Sequence, residues 1–131
     1  MKIVTAALLY QNGKYLLCQR GENDPLALKW EFPGGKLEEG ETPEACLVRE
    51  IKEELGLDIE VTDHFCDTFY RYATGEILLK VYRIQVTGGE MELIVHHAAE
   101  WVQPERLLEY DLLPADVEIA EKIRREMGLR K

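Results

Sequence analysis

Between Thr42 and Gly56 the chain marks out one helix at both ends, and the rest of any fold has to be arranged around it. Thr42 carries a hydroxyl that can take up an orphan backbone N–H, Pro43 suits the first helical position, and Glu44 meets the positive end of the helix dipole. Gly56 readily adopts the left-handed conformation that stops a helix. The spacing predicts a helix over about 43–55. On a wheel of roughly 100° per residue with Glu50 at zero, Glu53 falls near 300° and Glu54 near 40°, so three carboxylates share an arc of about 100°. Val48, Ile51 and Leu55 fall between about 100° and 160° and are expected to face a core. Arg49 stands four residues before Glu53 and can pair with it along the helix surface.

Three carboxylates packed this closely repel one another, which makes little sense for stability alone. They suit a hard cation, because Mg²⁺ or Mn²⁺ prefers carboxylate oxygens and brings phosphate oxygens with it. Just upstream, Gly34-Gly35 permits close backbone approach, so that a carbonyl, that of Gly35, can join the metal shell. The overall charge points the same way. With 16 Lys or Arg against 25 Asp or Glu, the chain carries a net charge of −9 and is ill suited to holding nucleic acid by neutralising its phosphates. A small anionic ligand then needs a positive mediator, and a metal ion supplies one.

The remaining sequence reads as strands and one more helix. Asn12-Gly13 suits a two-residue hairpin turn joining strand-like runs at 3–10 and 14–20. A polar loop at 21–29 leads to Trp30-Glu31-Phe32 and then Pro33-Gly34-Gly35, which no regular element absorbs. Two further strands are expected at about 65–72 and 77–86, then a short one at 100–103. A last helix at about 116–127 has Val117, Ile119, Ala120, Ile123 and Met127 as its apolar stripe. The expected fold class is α/β (α+β), a mixed sheet with helices packed on it.

At 131 residues, with 46% hydrophobic and 31% charged, the chain fits a single globular domain spanning 1–131. No apolar run approaches the ~18–20 residues needed to span a bilayer, so no membrane partner is expected. Cys18, Cys46 and Cys66 are an odd set without metal-type spacing and read as buried free thiols in a reducing compartment. The start at Met1-Lys2 and residues 3–10 lacks a small-residue cleavage site, so a cytoplasmic location is expected.

Gly35, five residues, Glu41, seven residues, and then Arg49-Glu50-Ile51-Lys52-Glu53-Glu54-Leu55-Gly56-Leu57 resembles the complete signature of the Nudix hydrolases. Every fixed position is filled, and a chance match in a chain of this length is on the order of one in ten million at average residue frequencies. Trp30-Glu31-Phe32-Pro33-Gly34-Gly35-Lys36 looks like the lead-in of the MutT-like branch, and the hairpin with Arg20 and the Leu113-Pro114-Ala115-Asp116 helix start fit its CTP-pyrophosphohydrolase-like members. The resemblance implies an α-β-α sandwich with the signature helix packed on a mixed central sheet.

It also implies Mg²⁺-dependent (or Mn²⁺-dependent) hydrolysis of a nucleoside triphosphate, normal, oxidised or methylated, to monophosphate and pyrophosphate. The partner is a small-molecule nucleotide, with the protein a monomer or homodimer. By carry-over, Glu50, Glu53, Glu54 and the Gly35 carbonyl form the metal shell. Glu50, Glu53 and Arg49 are the catalytic set, with Arg49 orienting Glu53 and Glu41 an outer partner. Arg20, Phe32, Lys36, Tyr72 and Asp116 are candidate substrate contacts. Phe32 is either a base-stacking ring or core, and Asp116 either reads a base edge as a hydrogen-bond acceptor or caps the last helix.

One position departs from the family pattern. Val95 stands where related members often carry a glutamate, leaving Glu92, Glu100, His96 or His97 as substitutes, the two histidines reading first as surface polar groups. A dinucleoside-polyphosphate hydrolase, for which Tyr70 and Tyr72 are the pointer, and a catalytically weak nucleotide sensor stand as alternatives.

Overall fold

The computed structural model describes residues 1–129. Its sheet contains β1 (Lys2–Gln11), β2 (Lys14–Gln19), β3 (Trp30–Glu31), β4 (Leu57–Tyr72), β5 (Gly75–Gly89) and β6 (Ala98–Val102). Two helices accompany them, α1 (Pro43–Leu55) and α2 (Pro114–Glu126), with a 3-10 turn at Pro104–Glu109. The strand order is β3-β2-β1-β5-β4, with β6 paired to β2. Among these strand pairings, β1 and β5 run parallel and the other four are antiparallel.

The expected hairpin forms because Asn12 (φ 53°) and Gly13 (φ 79°) both adopt positive φ. β1 and β2 then diverge, pairing only at Tyr10↔Tyr15 and Gln11↔Lys14. Into the gap comes the lead-in to α1. Ala7 N–H donates to Pro33 O at 2.8 Å, Thr5 N–H to Gly35 O at 2.8 Å, and Gly35 N–H to Thr5 O at 3.1 Å. A glycine is required at 34 for this approach, since a Cβ there would lie 2.9 Å from Ala6 Cα.

The two faces of the sheet carry separate cores. Leu8, Leu17, Leu79 and Val81 pack with Ile119, Ala120 and Ile123 of α2. Ala7, Leu9, Leu16, Cys18 and Ile84 pack with Leu47, Ile51 and Leu55 of α1. Successive residues of β1 point to opposite faces, so a strand buried on both sides has to be apolar throughout, as 6–9 are. The result is a helix–sheet–helix sandwich.

Both ends of α1 fall where the sequence sets them. The Thr42 hydroxyl accepts from Ala45 N–H at 3.1 Å, and Gly56, at φ 69°, donates its N–H to Lys52 O. Val48, by contrast, is not core. The buried stripe is Leu47, Ile51 and Leu55 at i, i+4 and i+8, and Val48 lies at its margin, 42% exposed. Met127 is likewise exposed, lying beyond the end of α2. α2 begins at Pro114, two residues before the expected start, with Leu113 at its cap position. Among the described residues, no helix is long and apolar enough to cross a membrane. Cys18 and Cys46 are buried and free, and Cys66 is half-buried.

Candidate active site

Arg49 is the hub of the acidic face of α1. Its Nε and Nη2 grip Glu41 at 2.6 and 3.0 Å, while Nη1 donates to Glu50 Oε1 at 2.8 Å and more loosely to Glu53 Oε2 at 3.3 Å. Nη2 also donates to Lys36 O at 3.2 Å. The expected Arg49–Glu53 pair therefore exists, but Glu41 and Glu50 are the closer partners. The Arg49 hydrogen bonds hold the Glu41 carboxyl down at about 2, so it stays ionised and keeps the loop before α1 tied to the helix.

The three signature carboxylates differ in surroundings. Glu50 lies beneath Gly35, so close that a Cβ on that glycine would meet its carboxyl group. Glu53 is open, with 58% of its side chain exposed. Glu54 turns inward, and its Oε1 is buried without a hydrogen bond from the protein. Burial raises the Glu54 pKa to about 7; the charge of His96 opposes this, and those of Glu50 and Glu31 add to it. Among the described residues, no three His, Cys, Asp or Glu side chains already converge as a closed metal cage. The donor set nevertheless fits a hard cation. It is all oxygen, and it includes a buried oxygen with no other partner, which costs free energy unless something positive meets it.

The Gly35 carbonyl accepts from Thr5 N–H at 2.8 Å and from Thr5 Oγ1 at 3.0 Å, so a cation it helped to hold would share that oxygen with β1. Gly35 contributes by lacking a side chain, and that leaves room for Glu50.

A second cluster lies where β2, β3 and α2 meet. Arg20 donates from Nε and Nη2 to both Asp24 oxygens, at 2.9 and 2.8 Å, and from Nη1 to Glu31 Oε1 at 2.8 Å. Burial opposes its charge, but the hydrogen bonds to Asp24 and Glu31 outweigh that and hold its pKa above the ordinary value. Glu31 Oε2 meets His96 Nε2 at 2.8 Å. Phe32 N–H donates to Asp116 Oδ2 at 2.8 Å.

Asp116 is therefore not a helix cap. It is the third residue of α2, buried, and it holds the lead-in segment in place. Burial foremost, then the Glu31 charge, push its pKa well above the usual carboxylate range. The acceptor-only argument from sequence concerns the ionised carboxylate, and burial works against that form. Phe32 belongs to the core, 3% exposed, packed with α2; its ring is not presented for stacking. Tyr72, half-buried, senses the charges of Asp116 and Arg20, its pKa raised by burial above all. The Lys36 side chain is exposed, while its backbone serves Arg49 and bridges to Val4.

The segment after β5 also corrects the sequence reading. Val95 is 62% exposed, and Glu100 is bonded to the Tyr110 hydroxyl. His97 is exposed, but the His96 side chain is only 3% exposed, buried on Glu31 rather than sitting at the surface. Glu31 is the functional candidate that sequence reasoning passed over. Glu31 lies opposite Cys18 in the β2–β3 register, and so on the same side as Arg20 two residues further on.

An acidic helix clamped by one arginine and entered through a glycine pair is thus mounted on a mixed parallel–antiparallel sheet between two helices. The NUDIX domain sequence profile matches residues 1–125, and the chain belongs to the Nudix hydrolase family. It is 37% identical over 119 residues to the CTP pyrophosphohydrolase of Escherichia coli, covering 90% of this chain and 87% of that one. It is 30% identical over 125 residues to the 8-oxo-dGTP diphosphatase of the same organism, covering 95% and 97%. The solution structure of the E. coli ORF135 protein superposes with a TM-score of 0.85 at 34% identity, covering 97% of this chain and 92% of that chain.

Proposed function

We propose that this protein hydrolyses a nucleoside triphosphate to a monophosphate and pyrophosphate, using a divalent cation, Mg²⁺ or Mn²⁺, held by Glu50, Glu53 and Glu54. The observation that carries this reading is Glu54, a buried carboxylate with an unpartnered oxygen beside two more glutamates on one helix face. When bound, the cation supplies charge neutralisation along the phosphate chain and favours water as the nucleophile. Arg49 keeps Glu50 in place and Glu53 within reach, and Glu50 is the group assigned to take the proton from the attacking water. The names of the relatives, a CTP pyrophosphohydrolase and an 8-oxo-dGTP diphosphatase, support a triphosphate carrying a pyrimidine or a damaged purine.

Product analysis across normal, oxidised and methylated (d)NTPs, with a dinucleoside polyphosphate alongside, tests the reading. Monophosphate and pyrophosphate should form from at least one triphosphate and vanish on chelation of the cation. Cleavage of the dinucleoside polyphosphate alone would overturn the substrate class, and nucleotide binding without any turnover would make the protein a sensor.

Arg20, Tyr72 and Asp116 are assigned to the nucleotide. Asp116 Oδ2 accepts from the Phe32 amide, and, with the residue only 4% exposed, Oδ1 is the atom proposed to meet a base edge. If Asp116 keeps its proton, Asp116→Asn preserves both a donor and an acceptor and should leave base preference within about threefold of the parent. Asp116→Leu, near in volume, should erase the preference. A shift of about tenfold or more in the Asn variant, read as kcat/KM ratios, would instead identify an ionised acceptor.

A further inference from the structure

The segment 90–97, between β5 and β6, is tied to the protein by three backbone hydrogen bonds and one buried side chain. Glu92 N–H donates to Leu55 O at 2.9 Å and Ile94 N–H to Glu54 O at 3.1 Å, both on the last turn of α1. His97 N–H donates to Gln19 O at 2.8 Å, at the end of β2. Its apolar side chains are left largely open, Met91, Leu93, Ile94 and Val95 being 41–62% exposed. The one side chain it buries is that of His96, and this is spent on a carboxylate. A strap that exposes its apolar residues and buries a histidine is organised around that histidine.

The His96 contact continues across the site. Nε2 donates to Glu31 Oε2 at 2.8 Å, and Glu31 accepts on its other oxygen from Arg20 at 2.8 Å. Arg20 in turn grips Asp24 in the 21–29 loop with a two-pronged contact. Four side chains from three separate stretches of chain thus form one line, and neither oxygen of Glu31 is left without a partner. The other ring nitrogen of His96, Nδ1, is buried without a hydrogen bond from the protein, as is Glu54 Oε1. A buried ring that leaves one nitrogen unsatisfied persists only if its other contact is worth more, and a charge-assisted hydrogen bond is such a contact.

We propose that His96 is a positioning residue. Through Glu31 it fixes the direction of the Arg20 guanidinium toward the substrate, and it locks the 90–97 strap onto the end of the signature helix. The proposal rests on the reading of Arg20 as a nucleotide contact. Without His96, Glu31 keeps its bond to Arg20 but loses its second anchor, so the pair is no longer held in place against the pull of Asp24.

The test is steady-state kinetics on the preferred triphosphate together with amide hydrogen exchange on the protein without nucleotide. His96→Ala is expected to raise KM about tenfold with kcat within about threefold, the size of one lost charge-assisted hydrogen bond. Exchange at the Glu92, Ile94 and His97 amides should accelerate. His96→Gln, whose amide can still donate to Glu31, should recover a large part of both. In an Arg20→Ala background, His96→Ala should add little to KM. Faster exchange with an unchanged KM would overturn the proposal and reduce His96 to a packing residue. A fall in kcat at constant KM, unrescued by Gln, would overturn it in favour of a direct part in the chemistry. An Arg20→Ala protein with unaltered KM would overturn the reading of Arg20 itself, while exchange at the strap amides would still report on the lock.

Discussion

Replacing Glu54 by Gln is expected to make the protein more stable at pH 8 and, at the same time, nearly inactive. Burial is the main cause of the Glu54 pKa near 7, against 4.5 for an exposed carboxyl. The folded protein therefore holds a proton on this group more tightly than the unfolded chain does. Between about pH 4.5 and 7 the folded state binds more protons, so its stability falls as pH rises through that window and is flat above it. At pH 8 the ionised, buried carboxylate costs roughly 1–3 kcal/mol, allowing for its partial exposure to water.

Gln keeps the shape and removes the charge. Its variant should gain several °C in Tm at pH 8 and nothing at pH 4.5, where Glu54 is already largely protonated. Adding Mg²⁺ should raise the Tm of the parent protein and do much less for the variant, because a ligand stabilises only what it binds. Turnover should fall by about a hundredfold or more, the scale on which charge stabilisation by a metal acts. Equal Tm values at pH 8 would show that Glu54 is not a strained charge, and wild-type turnover would remove it from the metal set.

What the sequence makes legible follows from how local each signal is. The ends of α1 are written in Thr42, Pro43 and Gly56, each acting within one turn, and the structure reproduces them. The Asn12-Gly13 turn is equally local. β4 is not. It begins at Leu57, directly after the helix cap, but its register against β5 shifts between Asp58 and Ile59, Val61 and Asp63, and His64 and Cys66. Residues 57–61 alternate apolar and polar, but Thr62-Asp63-His64 break the pattern where the later shifts begin, and the stretch that reads as a strand starts only at about 65.

In the site, the Glu50, Glu53 and Glu54 arc is legible because helical periodicity is a short-range property. That Arg49 would choose Glu41 depends on how a loop folds back over the helix. That His96 would meet Glu31 spans 65 positions in sequence, and no periodicity carries such a contact. Likewise, the pairing of the Gly35 carbonyl with Thr5 is decided by which strand meets the lead-in segment, and β1 is open to it where β2 turns away.

The two adjacent glycines should respond to the same substitution in opposite ways, one through folding and the other through catalysis. A Cβ at Gly34 would be driven into the carbonyl of Thr5, 2.7 Å from its carbon, and would lie 2.9 Å from Ala6 Cα. These are backbone atoms of β1, a strand buried on both faces, so nothing can yield without separating the lead-in from the sheet. Gly34→Ala should cost several kcal/mol and leave little folded protein, judged by circular dichroism and soluble yield. At Gly35 the nearest atoms belong to the Glu50 carboxyl, with Oε1 at 2.7 Å. That is the far end of a flexible side chain, and it can swing away. Gly35→Ala should therefore fold, with Tm within a few °C of the parent. Turnover should nevertheless fall about a hundredfold, because Glu50 leaves its contact with Arg49 and the position from which it serves the cation and the water. Loss of fold at both positions would mean that the Gly35 carbonyl pairing with Thr5, and not the space for Glu50, is what the second glycine protects.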